Sequence, residues 1–252
     1  MVTSPTLPPA QREQNLLGQT LVVIGGSAGI GLETARLAHE QGAEVIITAR
    51  NPDRLHRAGL ELGASIAAFD TTDFDRLKRF FDGLPGPIDH VLVTGPGPHY
   101  APFAEFDLDE LRRDVEAHLL LPLEVARNAV GKVRPGGTLL FMGGTGGRRT
   151  APGLYFLSAL TAALPAMARN LALEIAPIRV NVIAAGFVDT PLSATLLGDQ
   201  LDARREQLRT TLPIGRVVGP ADIAALAIHT MTNSALTGAT FDIDGGQQLV
   251  GI

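Results

Sequence analysis

Residues 25–31 read Gly-Gly-Ser-Ala-Gly-Ile-Gly, directly after the apolar run Leu21-Val22-Val23-Ile24 and directly before a helical pattern. That order can hold a pyrophosphate. Gly25 can turn sharply out of a strand, Gly29 admits phosphates close to the backbone, and Gly31 lets the following helix pack against a sheet. Ser27 and Ile30 belong to the same cradle. The new helix would aim its free N–H groups and the positive end of its dipole at the anion. About 20 residues past the glycines, where a ribose-reading residue is expected, stands Arg50. An acid there would bind the 2′-hydroxyl of NAD. An arginine pairs instead with a 2′-phosphate, so NADP is expected ahead of NAD.

Two more groups could meet a substrate. His99 and Tyr100 follow Gly95-Pro96-Gly97-Pro98, a stretch expected to open on the carboxyl ends of the strands, where ligands bind in such sheets. Arg148 and Arg149 follow a fifth strand-like run. They are either a clamp for a carboxylate or phosphate, or solvated surface charges. His, Asp and Glu show no metal-ligand spacing, so no metal is expected. The chain contains no Cys, which excludes thiolate catalysis and disulfides.

The elements that must position these groups alternate regularly. Short β-branched runs at 20–24, 44–48, 65–69, 90–94, 138–142, 179–184 and 240–243 read as strands. Helical stretches at 30–40, 73–81, 108–130 and 154–176 lie among them. Such alternation predicts an α/β fold: a Rossmann-type, doubly wound parallel sheet of about seven strands with helices on both faces. Near-continuous apolar strands fit burial on both sides. Pro165 predicts a kink or break in its helix. The polar segment 189–211 interrupts the rhythm and reads as a small helical excursion over the site. Residues 1–15 are a Pro-rich tail with no secretory pattern, and 16–252 read as one domain. Hydrophobic residues make up 45% of the 252, and the net charge is −5. No basic block is present, which argues against nucleic acid. Two uncharged stretches, 150–168 and 223–241, approach membrane-spanning length. Their Pro, Gly, Ser, Thr and His content favours helices of a soluble protein, so no membrane and a cytoplasmic location are expected.

The glycine spacing G-x-x-x-G-x-G resembles that of the short-chain dehydrogenase/reductase family. Further matches follow in family order: Phe69-Asp70-Thr71-Thr72-Asp73 after the third strand, Val93-Thr94-Gly95 at the end of the fourth, and Leu171-Ala172-Leu173-Glu174-Ile175-Ala176-Pro177. Ile178-Arg179-Val180-Asn181, Gly186-Phe187-Val188-Asp189-Thr190 and Asp242-Ile243-Asp244-Gly245-Gly246 complete the set. The resemblance covers nearly all of 18–248. It implies a nicotinamide cofactor touched by Asp70 and Thr71 near the adenine, by Thr94 and Gly95, and by Gly186, Val188 and Thr190 on the nicotinamide side. It also implies a homodimer or homotetramer and a small-molecule substrate.

The family's chemistry uses a Ser, a Tyr, a Lys four residues after that Tyr, and an Asn on the preceding helix. Against this pattern Tyr155 matches the Tyr, Ala159 stands at the Lys, Gly144 stands at the Ser with Thr145 beside it, and His118 stands at the Asn. The interval from Gly144 to Tyr155 is slightly short. The resemblance therefore marks Tyr155, Thr145 and His118 as catalytic candidates in a divergent member. A tyrosine with its ordinary pKa of about 10 is a poor base at neutral pH. Reduction of a carbonyl or enone is thus expected over alcohol oxidation. A non-catalytic NADP(H) sensor and non-redox chemistry on the same scaffold stay open as alternatives.

Overall fold

The computed structural model describes residues 15–148 and 152–250. Residues 1–14 and Arg149 lie outside them, and with them nearly all of the Pro-rich tail. Seven strands form one sheet in the order β3-β2-β1-β4-β5-β6-β7. They are β1 (Thr20–Ile24), β2 (Glu44–Ala49), β3 (Ser65–Ala68), β4 (Ile88–Val93), β5 (Val133–Gly144), β6 (Arg179–Ala185) and β7 (Thr240–Ile243). Every adjacent pair is parallel. The expected doubly wound sheet is the observed one, with strand ends displaced by a few residues.

Alternate residues of β1 feed opposite faces. Leu21 and Val23 pack with Ala35 of α1 (Gly29–Glu40), Leu55 of α2 (Pro52–Leu62) and Ile223 of the helix at Pro220–Thr232. Val22 and Ile24 face the other way, with Leu77 of α3 (Phe74–Asp82) and, further along the chain, Leu121 and Leu164. Chain direction out from β1 reverses between β1 and β4, and the crevice at that switch point is where such sheets bind ligands.

The stretch expected as one helix at 108–130 is α4 (Leu108–Val115) and α5 (Leu121–Ala129), joined by a π-helical turn at Glu116–Leu120. The cause is local. Pro122 has no N–H to give to the carbonyl of His118, and the N–H of Leu121 reaches back five residues to Glu116. Next, α6 (Tyr155–Glu174) runs unbroken through Pro165, so the expected break is absent. One missing backbone bond is outweighed by the packing of Leu164 and Ala168 against the sheet. By length and composition α6 could cross a membrane, but this stripe lies on β5 and β6. The 189–211 excursion is α7 (Pro191–Leu197), one 3-10 turn and α8 (Leu201–Thr211); α9 (Pro220–Thr232) and α10 (Gln247–Val250) complete the chain.

Candidate active site

At the carboxyl edge of the sheet the β1–α1 turn is built without room for side chains. A Cβ on Gly31 would lie 2.3 Å from the carbonyl oxygen of Gly25, and one on Gly25 would lie 2.3 Å from Oγ1 of Thr94. Gly29 holds φ at +54°, a left-handed value that glycine adopts freely. Helix α1 starts with no side-chain cap and no acid in its first turn. Its free N–H groups therefore stay available to an anion. Ser27 and Ile30 are half-buried in this turn. Thr94 donates its hydroxyl to the carbonyls of Ile24 and Gly25, 3.0 Å each, and so locks the turn to the end of β4.

The adenosine end is open. Arg50 is exposed just past β2. Asp70 is exposed after β3 and accepts from the backbone N–H (3.0 Å) and hydroxyl (2.8 Å) of Thr72, with Thr71 half-buried between them. These residues fit a dinucleotide: a turn that excludes side chains, an uncapped helix end, and a cation beside the ribose position.

From the turn a cavity of about 550 Å³ runs beneath α7. Ile30, Thr94 and Gly95 form its cofactor end, and Gly186, Val188 and Thr190 line it after β6. The backbone N–H of Gly186 bonds Ile243 (3.1 Å), and that of Phe187 bonds Oε1 of the buried Gln247 (2.9 Å). Thr190 caps α7, its hydroxyl accepting from the N–H of Ser193 at 3.2 Å. Asp189 and Arg205 form a two-bond ion pair, both bonds 2.9 Å, that straps α8 to the loop after β6.

The other half of the cavity is apolar. Leu154, Leu157, Leu160 and Leu164 of the α6 side face Leu192, Leu196, Leu197 and Phe187. Among the described lining residues the titratable groups are Tyr100, His118 and Arg204; no carboxylate and no lysine is present. Burial holds the His118 imidazole below its ordinary range, with Asp114 one turn earlier pulling the other way. The Asp114 carboxylate also accepts the backbone N–H of His99 at 3.1 Å, tying the β4 loop to α4.

The structure gathers some of the expected substrate residues and disperses others. His118, Thr145 and Tyr100 line the cavity. Tyr155 does not: it is 37% exposed, and its ring packs edge-on against Phe103 at 5.4 Å. His99 is exposed and outside the lining. Arg148 points away, paired with Asp242 of β7 and bonded to Gln248. On α6 the cavity-facing residues are instead Leu157, Leu160, Thr161 and Leu164, with Leu157 and Thr161, and Leu160 and Leu164, each four apart. The Thr161 hydroxyl donates back to the Leu157 carbonyl at 2.9 Å. Sequence reasoning missed the leucine wall, although the repeat Leu157, Leu160, Thr161, Leu164 carried its helical period.

The sheet order and the glycine-lined turn define a Rossmann-type dinucleotide-binding protein. A family model described as enoyl-(acyl carrier protein) reductase matches residues 25–248. The chain belongs to this family of short-chain dehydrogenases/reductases, which are NAD(P)-dependent oxidoreductases. It is 29% identical to the short-chain dehydrogenase/reductase ATR9 of Stachybotrys chlorohalonatus, over 91% of this chain and 96% of that one. The solved structure of the MalC reductase/Diels-Alderase of Malbranchea aurantiaca superposes with a TM-score of 0.86 at 26% identity, covering 94% and 98% of the two chains. The structure of BdcA in complex with NADPH gives a TM-score of 0.83 at 28% identity, covering 92% and 95%.

Proposed function

We propose that the chain is an NADP(H)-dependent reductase of apolar carbonyl or enone compounds, with a Tyr/Lys pair replaced by Leu157 and Thr161. The observation that carries this reading is the four-residue pair on the cavity face of α6. The family's Lys follows its Tyr by four, and 157 and 161 face the cavity at that spacing while 155 and 159 do not line it. Moving the register two residues on also lengthens the interval from Gly144, removing the shortfall seen with Tyr155. Tyr155 and Ala159 accordingly drop out of the reaction, as do His99 and Arg148.

Bound nicotinamide would supply or accept the hydride. The chain's own residues do the rest. Gly25, Gly29 and Gly31 admit the pyrophosphate, and Arg50 neutralises the 2′-phosphate. The leucine wall excludes water from the reacting end. Reduction needs a proton for the new alkoxide and oxidation needs a base; Leu157 has no proton to exchange and the Thr161 hydroxyl is committed to its own helix, so the His118 imidazole on the cavity wall is the group that would give or take it. Burial lowers the pKa of that imidazole, and the NADPH complex of a 28% identical neighbour supports the cofactor choice. The outward side of α6, with Leu173 exposed, supports a homodimer or homotetramer.

Fluorescence titration with NADPH and NADH, followed by NADPH turnover on a panel of ketones and enones, tests this reading. NADPH is expected to bind about tenfold more tightly than NADH, the order of one charge-assisted bond. Binding with no turnover would move the chain to the sensor reading, and binding of neither cofactor would remove both.

A further inference from the structure

Two segments of the chain leave the cavity wall side by side. Tyr100 of the loop after β4 and Leu154, just ahead of α6, both line the cavity. The segments touch next to these residues: a Cβ on Gly153 would lie 3.5 Å from the carbonyl oxygen of Ala101. They meet again outside the lining, where the rings of Phe103 and Tyr155 pack with centroids 5.4 Å apart. Phe106 adds a third ring, 5.7 Å from Phe103. An aromatic track thus runs from the cavity rim onto the surface.

Single exposed apolar side chains are ordinary, but rings in contact form a patch that marks a binding surface. Phe103 is 70% exposed and Phe106 46%. Their backbone is held in place. Phe103 opens the 3-10 turn Phe103–Glu105, and the Asp107 carboxylate just past Phe106 caps α4, accepting from the N–H groups of Asp109 (2.7 Å) and Glu110 (3.3 Å). Glu105, Asp107 and Asp109 are exposed around the rings, so the surface beside them is acidic. Leu173, on the side that supports an oligomer, lies at the other end of α6, about 27 Å from Tyr155. The rings adjoin the cavity and not that end.

We propose that Phe103 and Phe106 form a distal subsite for the far end of the substrate, a neutral tail carrying an aromatic ring, while the carbonyl end sits in the cavity. This subsite deepens the reductase reading above and rests on it for the reacting group. A ring is favoured over an alkyl chain because aromatic pairs gain offset or edge-to-face attraction beyond the area they bury. A carboxylate or phosphate on the tail is disfavoured by Glu105, Asp107 and Asp109. Tyr155 serves as a backstop for the Phe103 ring, a contact that Tyr155→Phe keeps.

Calorimetry on the intact chain, saturated with oxidised NADP, tests the subsite. The probes are benzylideneacetone and derivatives that carry a second phenyl on tethers of increasing length. At the best tether length the second ring is expected to tighten binding about tenfold. An alkyl tail of equal carbon number should gain less, and a benzoate in place of the second phenyl should lose the gain. Phe103→Ala should remove most of the gain and Phe106→Ala part of it, while Phe103→Tyr should keep it. Fluorine NMR on the chain labelled with para-fluorophenylalanine should show the Phe103 signal, identified by its loss in Phe103→Tyr, shifting with the tailed ketone and not with benzylideneacetone. If Phe103→Ala does not fold, the tail series and the fluorine shift still decide. No gain at any tether length, an equal gain from the alkyl tail, binding of no probe, or a gain untouched by the substitutions would overturn the proposal. So would sedimentation showing that Phe103→Glu splits an oligomer, since a second copy would then cover the rings. Turnover of benzylideneacetone with no gain from the tail would keep the reductase reading and overturn the subsite; a gain without turnover of any probe would keep the subsite and remove that reading.

Discussion

The two ends of the cavity are built on opposite principles. At the cofactor end, function is carried by backbone: a turn so tight that a Cβ at Gly31 would stand 2.3 Å from a carbonyl oxygen. At the reaction end, function would be carried by side chains projecting from β5 and α6, and these are mostly leucines. A site made of backbone is constrained by sterics at each position, whereas a site made of side chains can change its chemistry without disturbing the fold. Cofactor binding and catalysis can thus diverge at different rates within one cavity, and only the first is secured by the architecture.

The strongest way to break this contrast is to put a side chain into the turn. In Gly31→Val, Gly25 and Thr94 must both move, and NADPH affinity should fall by about 100-fold or more with the far-ultraviolet circular dichroism unchanged. Undiminished binding would mean that the cofactor does not use this turn.

A second measurement keeps stability apart from the site. His90, on β4, lies at the far rim of the sheet, its Nε2 2.7 Å from Oε1 of Gln19. Burial, then Arg179 and Arg134, push its pKa from 6.5 down to about 4. The unfolded chain takes up a proton here near 6.5 and the folded chain only near 4, so between those values unfolding binds a proton and stability falls as pH falls. The slope is about 1.4 kcal/mol per pH unit at most. Urea titrations of His90→Gln should show a shallower fall over this window; an unchanged slope would assign it to other groups.

The smallest effect is expected at Tyr155. Tyr155→Phe keeps the ring contact with Phe103 and removes only a hydroxyl outside the cavity lining. Reductase rates should stay within about twofold. A fall of about 100-fold would return Tyr155 to the reaction and bring its helix register back into question.

That register marks where the sequence stopped being readable. Strands and the glycine turn are set by local chemistry: β-branched runs, φ at Gly29, the absence of a side chain at Gly31. They could be read residue by residue, as could the helical excursion after β6. The face of α6 is not local. Any residue of that helix has a partner four further on, and two residues' difference is about 200° around the axis. Which face meets the cavity depends on Leu164 and Ala168 seating on the sheet. An aromatic residue at 155 drew the assignment to a position outside the cavity lining. The repeat 157, 160, 161, 164 marks the face that lines the cavity, with polarity too weak to stand out. The π-helical turn at His118 was likewise hidden, although Pro122 supplied its cause. Arg148 read as a clamp because nothing in its neighbourhood along the chain announces Asp242, 94 residues away.

The strap between Asp189 and Arg205 has a consequence for time rather than affinity. Each partner is about one-third exposed, so dissolved ions reach the pair and weaken it. The helices that roof the leucine wall hang partly on this bond. Ionic strength should therefore set how often the roof lifts, and with it how long a guest molecule stays inside.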